Sequence, residues 1–138
     1  MSRRHGPTGE GRPSPPHSVV ARLRETCLPL AGATEHRAWT GTSWRVGRTT
    51  FAHVLQIDAG WPPVYARAFA TDGSATVVTF QVDDDERRAL GQLGPPFHLP
   101  PWRPGIVGVV IADGTDWTEL AELLTDSHRL CVGPTDRA

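Results

Sequence analysis

The sequence predicts a two-layer α+β domain, an antiparallel sheet with helices packed on one face, from three observations. Two amphipathic helical stretches lie towards opposite ends of the chain, short β-branched and aromatic runs separated by turn residues lie between them, and an acidic helix start precedes a last apolar run. At 138 residues the chain holds one core and is too short for two. Composition is globular, with 38% hydrophobic and 21% charged residues. No run approaches the ~18 apolar residues needed to span a bilayer. The first residues lack the apolar middle of a secretory signal, so the cytoplasm is the expected compartment, with no membrane partner.

Residues 1–17 mix Arg, Gly, Pro, Ser and His without an apolar period and read as a disordered arm. The domain is expected over 18–134, followed by a tail over 135–138. Ser18 can cap a first helix near 18–28, with Val19, Val20, Leu23 and Cys27 on one face and Pro29 ending it. After a polar connection, Ser43–Val46 and Thr50–Ile57 read as strands joined by a tight turn at Gly47-Arg48. Asp58 to Pro63 reads as a loop, since tandem prolines supply no ladder donors. Val64–Ala70 and Thr76–Val82 then suggest a second hairpin, giving a four-stranded meander.

Asp83 with Glu86 three positions on predicts a capped helix over about 84–92, which explains the acidic run without a calcium loop. The proline-stiffened segment from Phe97 to Pro104 is expected at a sheet edge, ahead of a buried strand over Ile106–Ala112. Asp116 caps the last helix, whose core stripe is Trp117, Leu120, Ala121, Leu124 and Cys131, with His128 as a satisfied inward histidine.

Chemistry is sparse at this level. The histidines at 5, 17, 36, 53, 98 and 128 show no metal-ligand spacing, and Cys27 and Cys131 have no CxxC partner, so no zinc, other metal or cofactor is expected and both thiols read as packing residues. No nucleophile elbow or glycine-rich phosphate loop is present. Net charge is −1, yet residues 1–70 carry nine Arg against four acids while residues 71–138 carry five Arg against eleven. What stands out is arginine interleaved with aromatic residues: Arg37, Trp39, Arg45 and Arg48, then Arg67, then Trp102 and Arg103. That combination suits phosphate contact and base stacking. A half-buried sheet suits it as well: if Trp44 points into the core, strand alternation turns Arg45 outward.

The segments CLPLAGATEHRAW, SWRVGRTTFA, FQVDDDERRAL and DWTELAELLTDSHRL, in this order, resemble the MmcQ/YjbR family of small bacterial proteins from about Ser18 to Pro134. The family's leucine–proline–glycine turn and Thr-Glu resemble Cys27 to Glu35, with the proline displaced to Pro29. Its aromatic–x–Val strand followed by Phe-Ala resembles Trp44 to Val46 and Phe51-Ala52. The chain departs from relatives at Thr42, Thr49 and His128, where proline, lysine and an aromatic residue are usual.

The resemblance implies a fold similar in outline to type III secretion chaperones and a DNA-binding protein without catalytic residues. The expectation is therefore a non-enzymatic DNA-binding protein, monomeric or a weak homodimer. Arg37, Arg45, Arg48, Arg67 and Arg103 would contact phosphate, with Trp39 and Trp102 as stacking surfaces. The alternatives are a protein- or small-ligand-binding module beside Pro100-Pro101-Trp102, and an enzyme in which His36, His53 or His98 meets a carboxylate or nucleophile.

Overall fold

The structure is a computed structural model that describes residues 12–71 and 73–137, with side chains described as far as Gly133. Its centre is a six-stranded antiparallel sheet in the order β1-β2-β3-β4-β6-β5. The helix α1 (His17–Cys27) begins one residue before the expected Ser18 cap. The Pro16 carbonyl accepts from the Val19 and Val20 amides, and no side chain caps the helix. Proline is well suited to that junction because its fixed φ pre-sets the entry and it lacks an amide that would need a partner. Of the expected arm, residues 1–11 lie outside the described residues; Pro15 is buried ahead of α1.

The polar connection after α1 is instead an edge strand, β1 (Ala33–Arg37), paired with β2 (Thr42–Val46) so that Glu35 lies opposite Trp44. An edge strand needs no continuous apolar face and gains from charges that discourage further pairing, which is why ATEHR carries no strand signature. The hairpin of β2 with β3 (Thr49–Ile57) is as expected, with Gly47 taking the positive φ of +60° that its two-residue turn needs. The register shifts beside Trp44, leaving Phe51 between the pairs Trp44–Ala52 and Arg45–Thr50. That bulge puts the adjacent residues Phe51 and Ala52 into the same core.

Val64–Ala70 does not form a strand. Pro63–Ala68 is a short helix, α2, so Val64–Ala70 makes no hairpin with the following strand; β3 pairs directly with β4 (Ala75–Gln81), with α2 in their connection. The meander expectation failed because prolines that forbid a strand are tolerated in a helix's first turn, and Ala66, Arg67 and Ala68 favour helix over the pull of Val64 and Tyr65. Helix α3 (Asp84–Leu93) starts as expected, the Asp83 carboxylate accepting from the Glu86 amide at 2.8 Å. The edge strand β5 (Phe97–His98) and β6 (Ile106–Ile111) follow. The last helix, α4 (Trp117–Arg137), is capped by Asp116 accepting from the Glu119 amide and is interrupted at Gly133, which has a φ of +82°. The expected tail at 135–138 lies past that break, and Ala138 is outside the described residues.

The main core fills one face of the sheet. Leu23 and Cys27 of α1, Leu90 of α3, and Leu120, Leu123 and Leu124 of α4 close over Trp44, Phe51, Val54, Val78, Phe80, Val107 and Val109. Ser127 pins α4 to the bulge, donating to the Phe51 carbonyl at 2.7 Å and accepting from the Gln81 amide at 2.8 Å. His128 bonds the Ala31 carbonyl at 2.7 Å and stands edge-on to Phe51, a satisfied core residue. On the opposite face α2 covers only part of the sheet, where Ala66 and Phe69 pack on Leu55, Ile57 and Val77. Gly108 makes this possible: the Phe69 ring lies where a side chain on β6 would stand. The rest of that face is not covered by a helix and is recessed beneath side chains of the surrounding loops and turns.

Candidate functional site

The uncovered part of the sheet is a groove of about 600 Å³. Its floor is built from strand residues Ser43, His53, Thr79 and Gln81, and its sides from the β1–β2 connection, the β2–β3 turn, Tyr65 of α2 and the segment before β6. Strand alternation decides what reaches it. Trp44 is fully buried on the helix side, so Ser43 and Arg45 turn to the groove side.

Six of the seven sequence-selected residues line this groove: Arg37, Trp39, Arg45, Arg48, Trp102 and Arg103. Arg67 does not. It is exposed in the last turn of α2, the helix that replaces the expected strand. Among the described residues no carboxylate lines the groove, and none pairs with Arg37, Arg45, Arg48 or Arg103. The acids with observed partners are engaged elsewhere. Glu35 receives two 2.9 Å bonds from Arg24 and a third from the indole N–H of Trp44. The Arg24 bonds, helped by the Trp44 bond, hold the Glu35 carboxyl below the ordinary range against the opposing effect of burial. Asp85 and Asp126 pair with Arg88 and Arg129 on the surfaces of α3 and α4.

Aromatic residues frame the arginines. Trp39 is 52% exposed and Trp102 41%, so both present open ring surface at the groove. Trp39 is held edge-to-face by Trp61 at 5.6 Å, with the Arg12 guanidinium 5.8 Å from its ring centre. Trp102 meets Tyr65 at 5.0 Å, and Tyr65 in turn contacts His53 and Phe69. Burial raises the Tyr65 phenol above its ordinary range, with Arg103 acting in the opposite sense.

His53, Tyr65, Ser43 and Gln81 complete the site. Tyr65 carries the aromatic signal, but His53, Ser43 and Gln81 could be placed only by knowing which strand face stays uncovered. His53 bonds the Thr40 carbonyl at 2.7 Å through Nε2, which must donate because a carbonyl can only accept. Burial lowers its affinity for a second proton, so it is neutral at pH 7 and its Nδ1 remains an acceptor. Ser43 Oγ and Arg45 Nε are buried without a hydrogen-bond partner. His36 lies beside Thr34 and His98 against Phe69, so neither these nor His53 has an observed carboxylate contact. Cys27 is buried and free, its thiol pushed up to about 12 by desolvation and by Glu35, and Cys131 is free as well. Among the described residues no cluster of His, Cys, Asp and Glu could hold a metal, and no helix is long and apolar enough to cross a membrane.

The fold and this groove define a small α+β protein with one helix-covered sheet face and one face left partly open under arginine and indole side chains. Residues 28–130 match the YjbR family model, and the chain belongs to the YjbR family. Comparison with curated proteins and with solved structures finds no match.

Proposed function

We propose that this chain is a non-enzymatic, cytoplasmic DNA-binding protein that holds the sugar-phosphate backbone over the open half of its sheet. The supporting observation is the gathering of Arg37, Arg45, Arg48 and Arg103 around one groove from which carboxylates are absent among the described residues. Guanidinium forks match phosphate oxygens, and their attraction acts undiminished where no acid competes. A net charge of −1 does not oppose this, because an anion responds to the local potential above the groove rather than to the charge of the whole chain.

The test is binding of a labelled oligonucleotide at low salt by the full chain and by single alanine variants. Arg45→Ala and Arg48→Ala each weaken binding roughly tenfold, the scale of one charge-assisted hydrogen bond. Arg67→Ala, outside the groove, leaves it within about twofold. No detectable binding of any DNA at low salt ends this reading.

A further inference from the structure

We infer that the groove takes an unpaired nucleic-acid strand with its bases turned inward, in preference to a duplex. The inference rests on the DNA-binding reading and narrows it to a substrate class.

Three features of the groove point the same way. The first is shape: about 600 Å³ of recess is the size of a small-ligand site, room for about one or two nucleotides. A duplex is too broad to enter and can only lie across the rim, within reach of exposed arginines such as Arg48 and Arg103.

The second feature is the exposure of Trp39 and Trp102, each held in an edge contact by another aromatic ring, with Arg12 also over the Trp39 ring. An indole gains from a base only when the base face is available, and in a duplex those faces are occupied by neighbouring base pairs. The third is hydrogen-bonding capacity left unused in the floor. Ser43 Oγ is buried with no partner, His53 Nδ1 is an acceptor while Nε2 is tied to Thr40, and the Gln81 amide nitrogen is tied to the Thr50 carbonyl while its oxygen has no observed partner. Of these only Ser43 Oγ is buried, and a buried polar atom without a partner is rare and calls for a group that satisfies it, while the His53 and Gln81 acceptors add capacity beside it. A base edge carries matching donors and acceptors, whereas a phosphate, an acceptor only, would satisfy Ser43 but not His53 or Gln81.

These features assign separate roles. Arg37, Arg45, Arg48 and Arg103 hold phosphates, Trp39 and Trp102 stack on bases, and Ser43 and His53 meet a base edge at the floor.

Binding of the full chain is measured by fluorescence anisotropy at one low salt concentration. The probes are an oligothymidine and an oligouridine of about twelve nucleotides and a mixed-sequence duplex of the same length. The unpaired probes bind at least about tenfold more tightly than the duplex. Trp102→Ala and Trp39→Ala lower affinity for the unpaired probes about 5- to 100-fold and leave duplex binding within about twofold. Both tryptophans are exposed, and melting curves verify that the variants remain folded.

Tighter binding of oligouridine than oligothymidine supports an unpaired strand and moves the natural ligand from DNA to RNA. Duplex binding equal to or tighter than single-strand binding overturns the inference while leaving the DNA-binding reading standing. So does indifference of single-strand binding to both tryptophan variants. Failure of all three probes to bind removes the reading itself.

Discussion

Glu35 shows how one side chain keeps the groove clear of negative charge. It sits on β1 across from Trp44, on the helix side of the sheet, where Arg24 of α1 meets it with two bonds and the buried indole N–H supplies a third. Glu35→Ala removes the observed acceptor of that indole and is expected to destabilise the fold by about 1–3 kcal/mol, read from denaturant unfolding at pH 7. Because the Glu35 pKa is depressed in the folded chain, its contribution is present above the ordinary value of 4.5 and disappears as pH falls through the lower folded value. The gap between wild type and variant should therefore narrow in acid, as the part contributed by the charged carboxylate is lost.

His53 acts in the opposite sense. Its folded pKa lies below 6.5, so the unfolded chain binds the extra proton first and stability declines as pH drops below about 6.5, until the folded value is passed. Melting temperatures from pH 8 to pH 5 should fall less steeply for His53→Gln, which keeps a nitrogen donor in reach of Thr40, than for wild type. A single proton sets a ceiling of about 1.4 kcal/mol per pH unit on that difference.

At the scale of elements, what was legible followed from local rules and what was not depended on neighbours distant in the chain. The α1 stripe, the Gly47 turn, the Asp83 and Asp116 caps and the β6 run all carry their signal within a few residues, and the structure has each of them. β1 carries no strand signature because an edge strand can be polar, and α2 reads as a strand because Val64 and Tyr65 have strand propensity while the packing of Tyr65 and Phe69 on the sheet is a tertiary fact. The bulge at Phe51 was likewise invisible: SWRVGRTTFA alternates plausibly without it, and its role appears only with Ser127 holding the Phe51 carbonyl from α4.

Gly108 is the strand residue that depends most on such a neighbour. Gly108→Ala would drive a methyl into the buried Phe69 ring, displacing α2 from the sheet. A loss of about 1–3 kcal/mol is expected in denaturant titrations. Equal stability would show that α2 is free to shift.

On the scale of the whole molecule, the charge asymmetry along the sequence becomes an asymmetry in space. Three of the four groove arginines come from the first half of the chain, and Arg103 joins them because β6 pairs with β4 and brings the preceding segment to the same face. In the acidic second half Asp83 and Asp116 cap the starts of α3 and α4, Asp85 and Asp126 pair with arginines of those helices, and none of these four lines the groove. Six of the seven residues that residue type and spacing single out line one groove. Arg67 could not be excluded, nor His53 and Ser43 included, without knowing that α2 covers one part of the sheet and leaves a groove over the other.

The most direct measurement is the dependence of oligonucleotide affinity on salt. Engagement of all four guanidinium groups with phosphates of an unpaired strand predicts that log K falls linearly with log salt with a slope of about −3, and that Arg45→Ala reduces its magnitude by about 0.7. A slope near zero, or one that Arg45→Ala leaves unchanged, would contradict a groove that works by holding phosphates.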